Sequence, residues 1–301
     1  MGTRTSVVER MIKHGIAIVF LTLLTQLGGI AWLLALILRP LFGRFLTIFL
    51  ATYLGLSVGV HYAAPSTGRV ALPCLDAGPT QVAVLNPLYC ALNRHYVTPE
   101  MKDYANSLAA HMHETFPGTR TRALDGGFPF LNGFPLLPHL SHDDGQKLDL
   151  AFFYTDAGGE YQLGKARSPI GYWGFEDPRP GDPEPCADQS GISLRWDVAW
   201  LQPYLRDWPL DEARTGEMLR WLAENPVGED FRIFIEPHLA RRLGVSGDAV
   251  GFQGCNAARH DDHIHVQFVP AATPPSPEPV QPDPAAPIEQ DPAPIETETT
   301  E

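Results

Sequence analysis

The sequence predicts an α+β domain, a small antiparallel sheet with flanking helices, preceded by a hairpin of two apolar helices. Three observations predict it. Residues 15–64 carry no charge except at Arg39 and Arg44. Residues 270–301 hold ten prolines and seven acids with no Lys or Arg. Between them lies a mixed stretch in which short β-type runs and helical runs follow one another without regular alternation, the pattern of α+β rather than α/β. The resulting boundaries are a short N-terminal segment 1–14, two membrane helices within 15–64, a domain over 65–269 and a disordered tail over 270–301. A middle of about 200 residues is long enough to bury a core without help from metals or disulfides.

Gly15 to Leu38 is a run of 24 uncharged residues rich in Leu, Ile and Ala, enough to cross about 30 Å of hydrocarbon as a helix. Arg39-Pro40-Leu41-Phe42-Gly43-Arg44 breaks the run with a proline, a glycine and two charges, and Phe45 to Val60 resumes it. The first run is too long for a signal-peptide core, and no small-residue cleavage site follows it closely. Two spans leave orientation in conflict. A cytoplasmic Arg39/Arg44 turn puts the domain outside, whereas Arg4, Arg10 and Lys13 favour a cytoplasmic start and a domain inside. A single span, with the second run lying at the interface, reconciles the two.

Four cysteines, Cys74, Cys90, Cys186 and Cys255, all lie outside the apolar runs, and no CxxC spacing links them. In an exported domain they predict two disulfides, with three connectivities open. A local clip Cys74–Cys90 is expected, leaving Cys186–Cys255; buried free thiols are the alternative. The formal charge of -13 says little about the domain, because seven negatives sit in the tail. No Lys/Arg cluster or aromatic-basic interleaving is present, which argues against a nucleic-acid partner. The tail itself is too polar and Pro-rich to order.

Within the domain, Thr98-Pro99-Glu100 starts a helix running to about Thr115, with Thr98 as N-cap and proline in the first turn. Residues 117–140 read as loop. Leu148 to Tyr154 reads as a strand and Asp156 to Glu160 as its turn. Residues 164–190 form a long irregular insertion of the kind that shapes binding sites. Asp197 to Arg206 and Asp211 to Glu224 have helical spacing, Phe231 to Ile235 is a strand, Pro237 opens a short helix ending before Gly244, and His263 to Val269 alternates as a final strand.

Two histidine motifs carry the chemistry: Ser141-His142-Asp143-Asp144-Gly145-Gln146-Lys147-Leu148-Asp149 and His260-Asp261-Asp262-His263-Ile264-His265. Together they offer two imidazoles and a carboxylate for one metal with two histidines to spare, the inventory of a hydrolytic zinc site that leaves its fourth position to water. Side chains at i and i+2 of a strand share a face, with their backbones about 6.5–7 Å apart. That suits one ligand and one residue facing the substrate. His142 and Asp149 flank a turn that Gly145 permits. A lone His-x-His is more often a polar strand face, and the chain holds a decoy, His111-Met112-His113, whose side chains diverge on a helix. His95, His139 and His238 read as structural or solvated singles. Asp143, Asp144, Asp261 and Asp262 read as loop acids or as partners that orient the histidines.

Ser-His-x-x-Gly-x-x-x-Asp followed by a terminal His-x-His resembles the zinc peptidases of the lysostaphin, D-Ala-D-Ala carboxypeptidase and hedgehog group, and most of all the penicillin-insensitive murein endopeptidases. His260, three residues before His-x-His, and the lead-in Ile233-Phe234-Ile235-Glu236-Pro237-His238-Leu239 add to the likeness, which covers about 120–269. The resemblance implies His142, Asp149 and His265 as ligands of Zn2+, and His263, with His260 second, as general base or transition-state stabiliser. It implies a metallopeptidase that hydrolyses peptide cross-links of peptidoglycan with zinc-activated water, and the apolar run 15–64 adds the expectation of a membrane anchor. The expected setting is a bacterial inner membrane with a periplasmic catalytic domain, the bilayer being met through residues 15–64. Arg120, Arg122 or Lys147 are candidates for holding a substrate carboxylate. The alternative is a non-catalytic zinc module of the same fold that binds cell wall or a protein. The insertion 164–190, the membrane helices and the tail fall outside the resemblance.

Overall fold

The computed structural model describes residues 6–188, 193–196 and 198–268; the expected tail, and Arg4, lie outside them. The chain opens with three helices, not two: α1 (Val7–Thr25), α2 (Gly28–Phe42) and α3 (Phe45–Ala63). The run Gly15–Leu38 is therefore not one helix. It breaks at Gln26, whose φ is 64°, because the end of α1 is held by other bonds. Thr25 Oγ1 donates back to the Leu21 carbonyl and accepts from Gly28 N, both in the range 2.8–2.9 Å. The Gln26 amide donates to the Phe130 carbonyl (2.6 Å) and its oxygen accepts from Phe130 N (3.0 Å). Gly29 lets α2 fold back against α1, since a Cβ there would lie 2.8 Å from the Ile18 carbonyl oxygen. The expected six-residue basic turn shrinks to Gly43-Arg44, with Pro40 kept inside α2.

The three helices run antiparallel in sequence. Thr52 on α3 bonds the Ala31 carbonyl on α2 (3.3 Å), and the rings of His14 and Phe45 lie 6.3 Å apart. The basic N-terminal half of α1 and the Arg39/Arg44 turn thus share one end of the bundle, and Gln26 and Ala63 lie towards the domain. Among the described residues one helix, Phe45–Thr67, is long and apolar enough to cross a membrane; Gly28–Phe42 is apolar but shorter.

The domain is α+β. Its short elements are β1 (Val70–Ala71), β2 (Ala83–Val84), α4 (Leu88–Ala91), β3 (Tyr96–Val97), α5 (Pro99–Thr115), β4 (Arg122–Ala123), β5 (Lys147–Ala151), α6 (Glu212–Glu224), β6 (Arg232–Phe234), α7 (Pro237–Arg242), β7 (Val250–Gly251) and β8 (His263–Gln267). β1 and β3 pair apart from a six-stranded sheet of order β2-β4-β5-β8-β6-β7. The sheet is larger than expected and mixed: the central pairs β4/β5, β5/β8 and β8/β6 are antiparallel, while β2/β4 and β6/β7 at the edges are parallel. Alternation divides its central strands. Leu148, Leu150, Ile264 and Val266 pack into a core with Met101, Leu108 and Met112 of α5 and Leu219 and Leu222 of α6, while Asp149, Ala151, His263 and His265 take the other face.

Thr98 and Asp211 cap α5 and α6, accepting from Met101 N (3.3 Å) and Arg214 N (3.0 Å). The helix expected over Asp197 to Arg206 is absent. Asp197 lies outside the described residues, and the only helical turn there is a 3-10 turn, Gln202–Tyr204. Pro203 disfavours α geometry at the residue before it and removes a backbone donor. Both disulfides join as expected, Cys74–Cys90 and Cys186–Cys255, so no free thiol remains.

Candidate metal centre

The centre is built on two neighbouring strands. Asp149 on β5 stands directly opposite His265 on β8, and His263 stands opposite Ala151, so all three side chains reach the same face. His142 arrives from the turn before β5, where Gly145 takes φ 73°. Its placement brings three donor atoms together: His142 Nε2 is 3.2 Å from Asp149 Oδ1 and 3.1 Å from His265 Nδ1, and His265 Nδ1 is 2.9 Å from Asp149 Oδ1. Metal–ligand bonds of ~2.0–2.1 Å in a tetrahedron separate donor atoms by roughly 3.3–3.4 Å, so the three atoms already stand near the spacing one small cation imposes.

Hydrogen bonds set the tautomers. His142 Nδ1 donates to the Gly126 carbonyl (2.6 Å), which leaves Nε2 with its lone pair towards the centre. His265 Nε2 donates to Gln267 Oε1 (3.3 Å), which leaves Nδ1 free in the same way. Ligating histidines are characteristically held by such an outer bond from the other ring nitrogen. Asp149 Oδ2 is occupied on the far side by the Tyr172 hydroxyl (2.6 Å) and His139 Nδ1 (2.9 Å), so the carboxylate presents Oδ1 alone. Asp149 is 0 % exposed and the four surrounding imidazoles of His142, His260, His263 and His265 are at most 5 % exposed; water does not screen their interactions. Burial pushes Asp149 up, but His142, His263 and His139 outweigh it and hold its carboxyl well below the usual range.

His139 corrects the sequence reading, which took it for a structural or solvated single. It sits between Asp149 Oδ2 and Asp125 Oδ2 (3.3 Å). Burial disfavours its charge, yet the two carboxylates win and push it up to about 10. His139, His142 and Asp149 form a compact cluster able to hold a metal ion. His142 Nε2, Asp149 Oδ1 and His265 Nδ1 form a second close group of donor atoms at the other oxygen of the same carboxylate. Behind it Arg94 grips Asp125 with two bonds of 2.6 and 2.7 Å. The only signal for His139 in the chain is its spacing of three residues from His142, one turn away. Nothing local points to Asp125, Arg94 or Tyr172, which come from distant loops.

His263 and His260 complete the arrangement. His263 Nδ1 donates to Asp262 Oδ1 (2.5 Å), which in the neutral ring leaves the Nε2 lone pair free, 3.7 Å from Asp149 Oδ1. Burial lowers the His263 pKa, and Asp149 and Asp262 more than restore it, so it is raised. Asp262 Oδ2 also accepts from Trp173 N (2.5 Å), tying the 164–190 insertion to the site. The His260 ring lies 4.9 Å from that of His263 and 5.8 Å from that of His265. Burial first, then His263 and His265, hold His260 well below its ordinary pKa, so it is neutral. Its backbone N donates to Glu236, which Arg195 clamps with two bonds of 2.9 Å.

All five site residues read from the sequence therefore meet in one place. The basic candidates do not: Arg120 and Arg122 pair with Asp76, and Lys147 with Asp144 and Asp143. Asp261 pairs with Arg259. The decoy histidines diverge, His111 to Glu217 and His113 to the Gly118 backbone, and His238 donates to the Glu176 carbonyl. The centre opens into a cavity of about 230 Å3 walled by Ser141, Leu194, Gln253, Ala257 and the histidines. A second cavity of about 200 Å3, lined mainly by apolar side chains, shares the His139 and His263 walls.

Burial pushes His265 down to about 4 despite the adjoining Asp149 carboxylate. A metal needs this imidazole neutral, so a bound ion is expected to stay through pH 6 and to leave below about pH 4–5 as protons take its ligand. Equilibrium dialysis with metal analysis across pH 4–8 checks it. Loss of metal already at pH 6.5 would mean that a proton competes at a ligand other than the buried His265.

No protein-family model matches the chain, and no curated protein matches it either.

Proposed function

We propose that the chain is a membrane-anchored zinc metallopeptidase that hydrolyses peptide cross-links of peptidoglycan. One observation carries the reading: the lone pairs of His142 Nε2 and His265 Nδ1 and one Asp149 oxygen lie within 3.2 Å of one another, each imidazole being held by an outer hydrogen bond. The N2O donor set with neutral imidazoles is that of hydrolytic zinc, and three protein ligands leave a position for substrate or water. A zinc ion there supplies Lewis acidity, polarising a carbonyl and acidifying water towards a pKa of ~7.

The remaining chemistry falls to side chains. His263, its Nδ1 proton committed to Asp262, offers a free Nε2 beside the centre and takes the proton of the attacking water. It then returns that proton to the leaving amine. His260, neutral and across the cavity, donates a hydrogen bond to the oxygen on which negative charge develops. A site that only held metal for stability would have no use for the Asp262–His263 pair.

The helix bundle supports an outward-facing domain. The Arg39/Arg44 turn and the basic part of α1 share one end, so the positive-inside rule assigns that end to the cytoplasm without the conflict of a two-helix hairpin. Two disulfides fit an oxidising compartment outside.

The test is digestion of purified peptidoglycan with the full chain and mass analysis of the released fragments. Cleavage that stops with a chelator and returns with Zn2+ is expected; intact cross-links would sink the reading. A phosphatase reporter fused after Glu301 is expected to be active, and an inactive fusion removes the wall as substrate.

A further inference from the structure

The apolar cavity of about 200 Å3 beside the metal centre has no part in the chemistry above. Leu88, Leu92, Ile170, Trp173, Phe175 and Leu194 line it, and His139 and His263 divide it from the metal cavity. A ligand that fills it therefore reaches the centre across a single layer of rings. A substrate made only of small polar residues leaves this lining against water, whereas a hydrocarbon chain gains from it.

The position of the cavity on the molecule says where such a chain comes from. Both segments that wall it also grip the helix bundle. On one side, Leu88 and Leu92 flank the Ala91 carbonyl, which accepts the Tyr53 hydroxyl of α3 at 2.6 Å. The next residue but one, Asn93, donates to Tyr53 Oη (3.0 Å) and to the Thr25 carbonyl (3.4 Å). On the other side, Phe130 clamps Gln26, and the same loop runs on to Leu137, whose carbonyl takes Arg94 Nη1 (2.7 Å), and to Pro138 in the cavity wall.

Depth follows from helix geometry. Tyr53 lies ten residues before Ala63, about 15 Å down α3 at 1.5 Å per residue. If α3 crosses a bilayer of ~30 Å hydrocarbon with Ala63 at its surface, Tyr53 and the α4 segment bonded to it lie about 15 Å below that surface. The lengths of the other helices agree: Lys13 to Gln26 and Leu27 to Leu38 cover only about 20 and 17 Å, too short to span unless the domain face sinks in. That face is built for it. Leu88, Leu131, Leu137 and Leu140 are exposed, and the exposed Trp173 and Trp196 line the cavity itself. Trp and Tyr favour the boundary between membrane and water.

We propose that this cavity is a lipid-chain subsite open to the membrane, which takes the hydrocarbon chain of a bilayer lipid so that a membrane-anchored substrate presents its polar peptide end to the metal centre. The second half rests on the hydrolase reading of that centre; the first half does not. Substrate is thereby drawn from the bilayer and not from the bulk wall.

The experiment uses the full chain in nanodiscs containing phosphatidylcholine with a diazirine on its acyl chain. After irradiation, mass spectrometry is expected to find lipid cross-links in the peptides carrying Leu88–Leu92 and Ile170–Phe175 as well as on α1–α3. Cross-links confined to α1–α3 overturn the proposal. Ile170→Trp, which fills the cavity, is expected to cut labelling of Leu92 and Phe175 at least tenfold with labelling of α1–α3 and metal content unchanged. If metal content falls, Leu92→Phe replaces it as the filling variant. Undiminished labelling in a metal-loaded filled variant also overturns the proposal. For hydrolysis, N-acyl dipeptides of rising chain length are expected to gain about fourfold in kcat/KM per methylene until the cavity is full. Cross-links in the cavity without hydrolysis of any substrate would leave the lipid subsite standing and remove the peptidase reading. Hydrolysis indifferent to chain length, with no cavity cross-links, would remove the subsite alone.

Discussion

Asp149→Asn is expected to empty the metal centre while leaving the domain folded. The substitution keeps the volume and the Tyr172 contact but removes the only negative charge whose oxygen faces His142 and His265. Loss of partners that merely orient metal ligands costs about 10–100-fold in metal affinity; loss of the anionic ligand itself is expected to cost at least ~100-fold. Metal analysis after dialysis should fall from one ion per chain to a small fraction, and activity should fall with it. Folding is expected to survive because Asp125 remains to pair with His139, and Arg94 with Asp125. The comparison variant is Asp125→Asn, which touches no donor atom. It leaves the Arg94 guanidinium in the interior without its carboxylate, while His139 keeps Asp149, and breaking a buried pair costs about 3–5 kcal/mol, so it is expected to lower stability far more than Asp149→Asn and metal affinity far less. An Asp149→Asn protein that keeps its ion at unchanged affinity would rule Asp149 out as a ligand.

How much of this could be read from the chain depends on the range of the forces involved. α5 and α6 were legible because Thr98 and Asp211 cap them locally, and β5 and β8 because alternation reports burial on one face. The same alternation put His263 and His265 on one face, too far apart for identical roles, and the turn at Gly145 made His142 and Asp149 plausible partners. Their convergence could not be read, since it depends on the β5/β8 register that sets Asp149 opposite His265. The break at Gln26 was invisible because its cause is a pair of bonds to Phe130, more than a hundred residues away. An uncharged run looks continuous until something distant ends it. His139 was misjudged for the same reason: its character comes from Asp125 and Asp149, and no local spacing announces a charged histidine. The parallel edge strands β2 and β7 have two residues each, too few to carry a period. Helical spacing over Asp197 to Arg206 misled because Pro203 outweighs it.

His263→Ala is expected to keep the metal and lose the reaction. Its Nε2 is not among the three close donors, lying 3.7 Å from Asp149 Oδ1, so metal content should match the unmodified chain. Loss of a general base lowers kcat by about 10^2–10^4-fold, with KM little changed if His263 acts mainly on the transition state. Asp262 gives the sharper test, because it acts through His263. Asp262→Asn can turn its amide N–H towards Nδ1, which makes Nδ1 an acceptor and moves the ring proton to Nε2, the wrong tautomer for a base. Asp262→Ala removes the bond but imposes no tautomer. The Asn variant is therefore expected to be the slower of the two, although it is the closer in shape. The sign of the pH effect follows from the charges: Asp262 raises the His263 pKa, and a base works only when neutral. Without that carboxylate the pKa falls, and the acidic limb of the kcat/KM profile moves to lower pH in Asp262→Ala. A merely structural Asp262 would lower stability and leave that limb in place. If Asp262→Asn turns over as fast as the unmodified chain, with its acidic limb unmoved, His263 is not the base and the proton goes elsewhere, His260 being the nearest remaining imidazole.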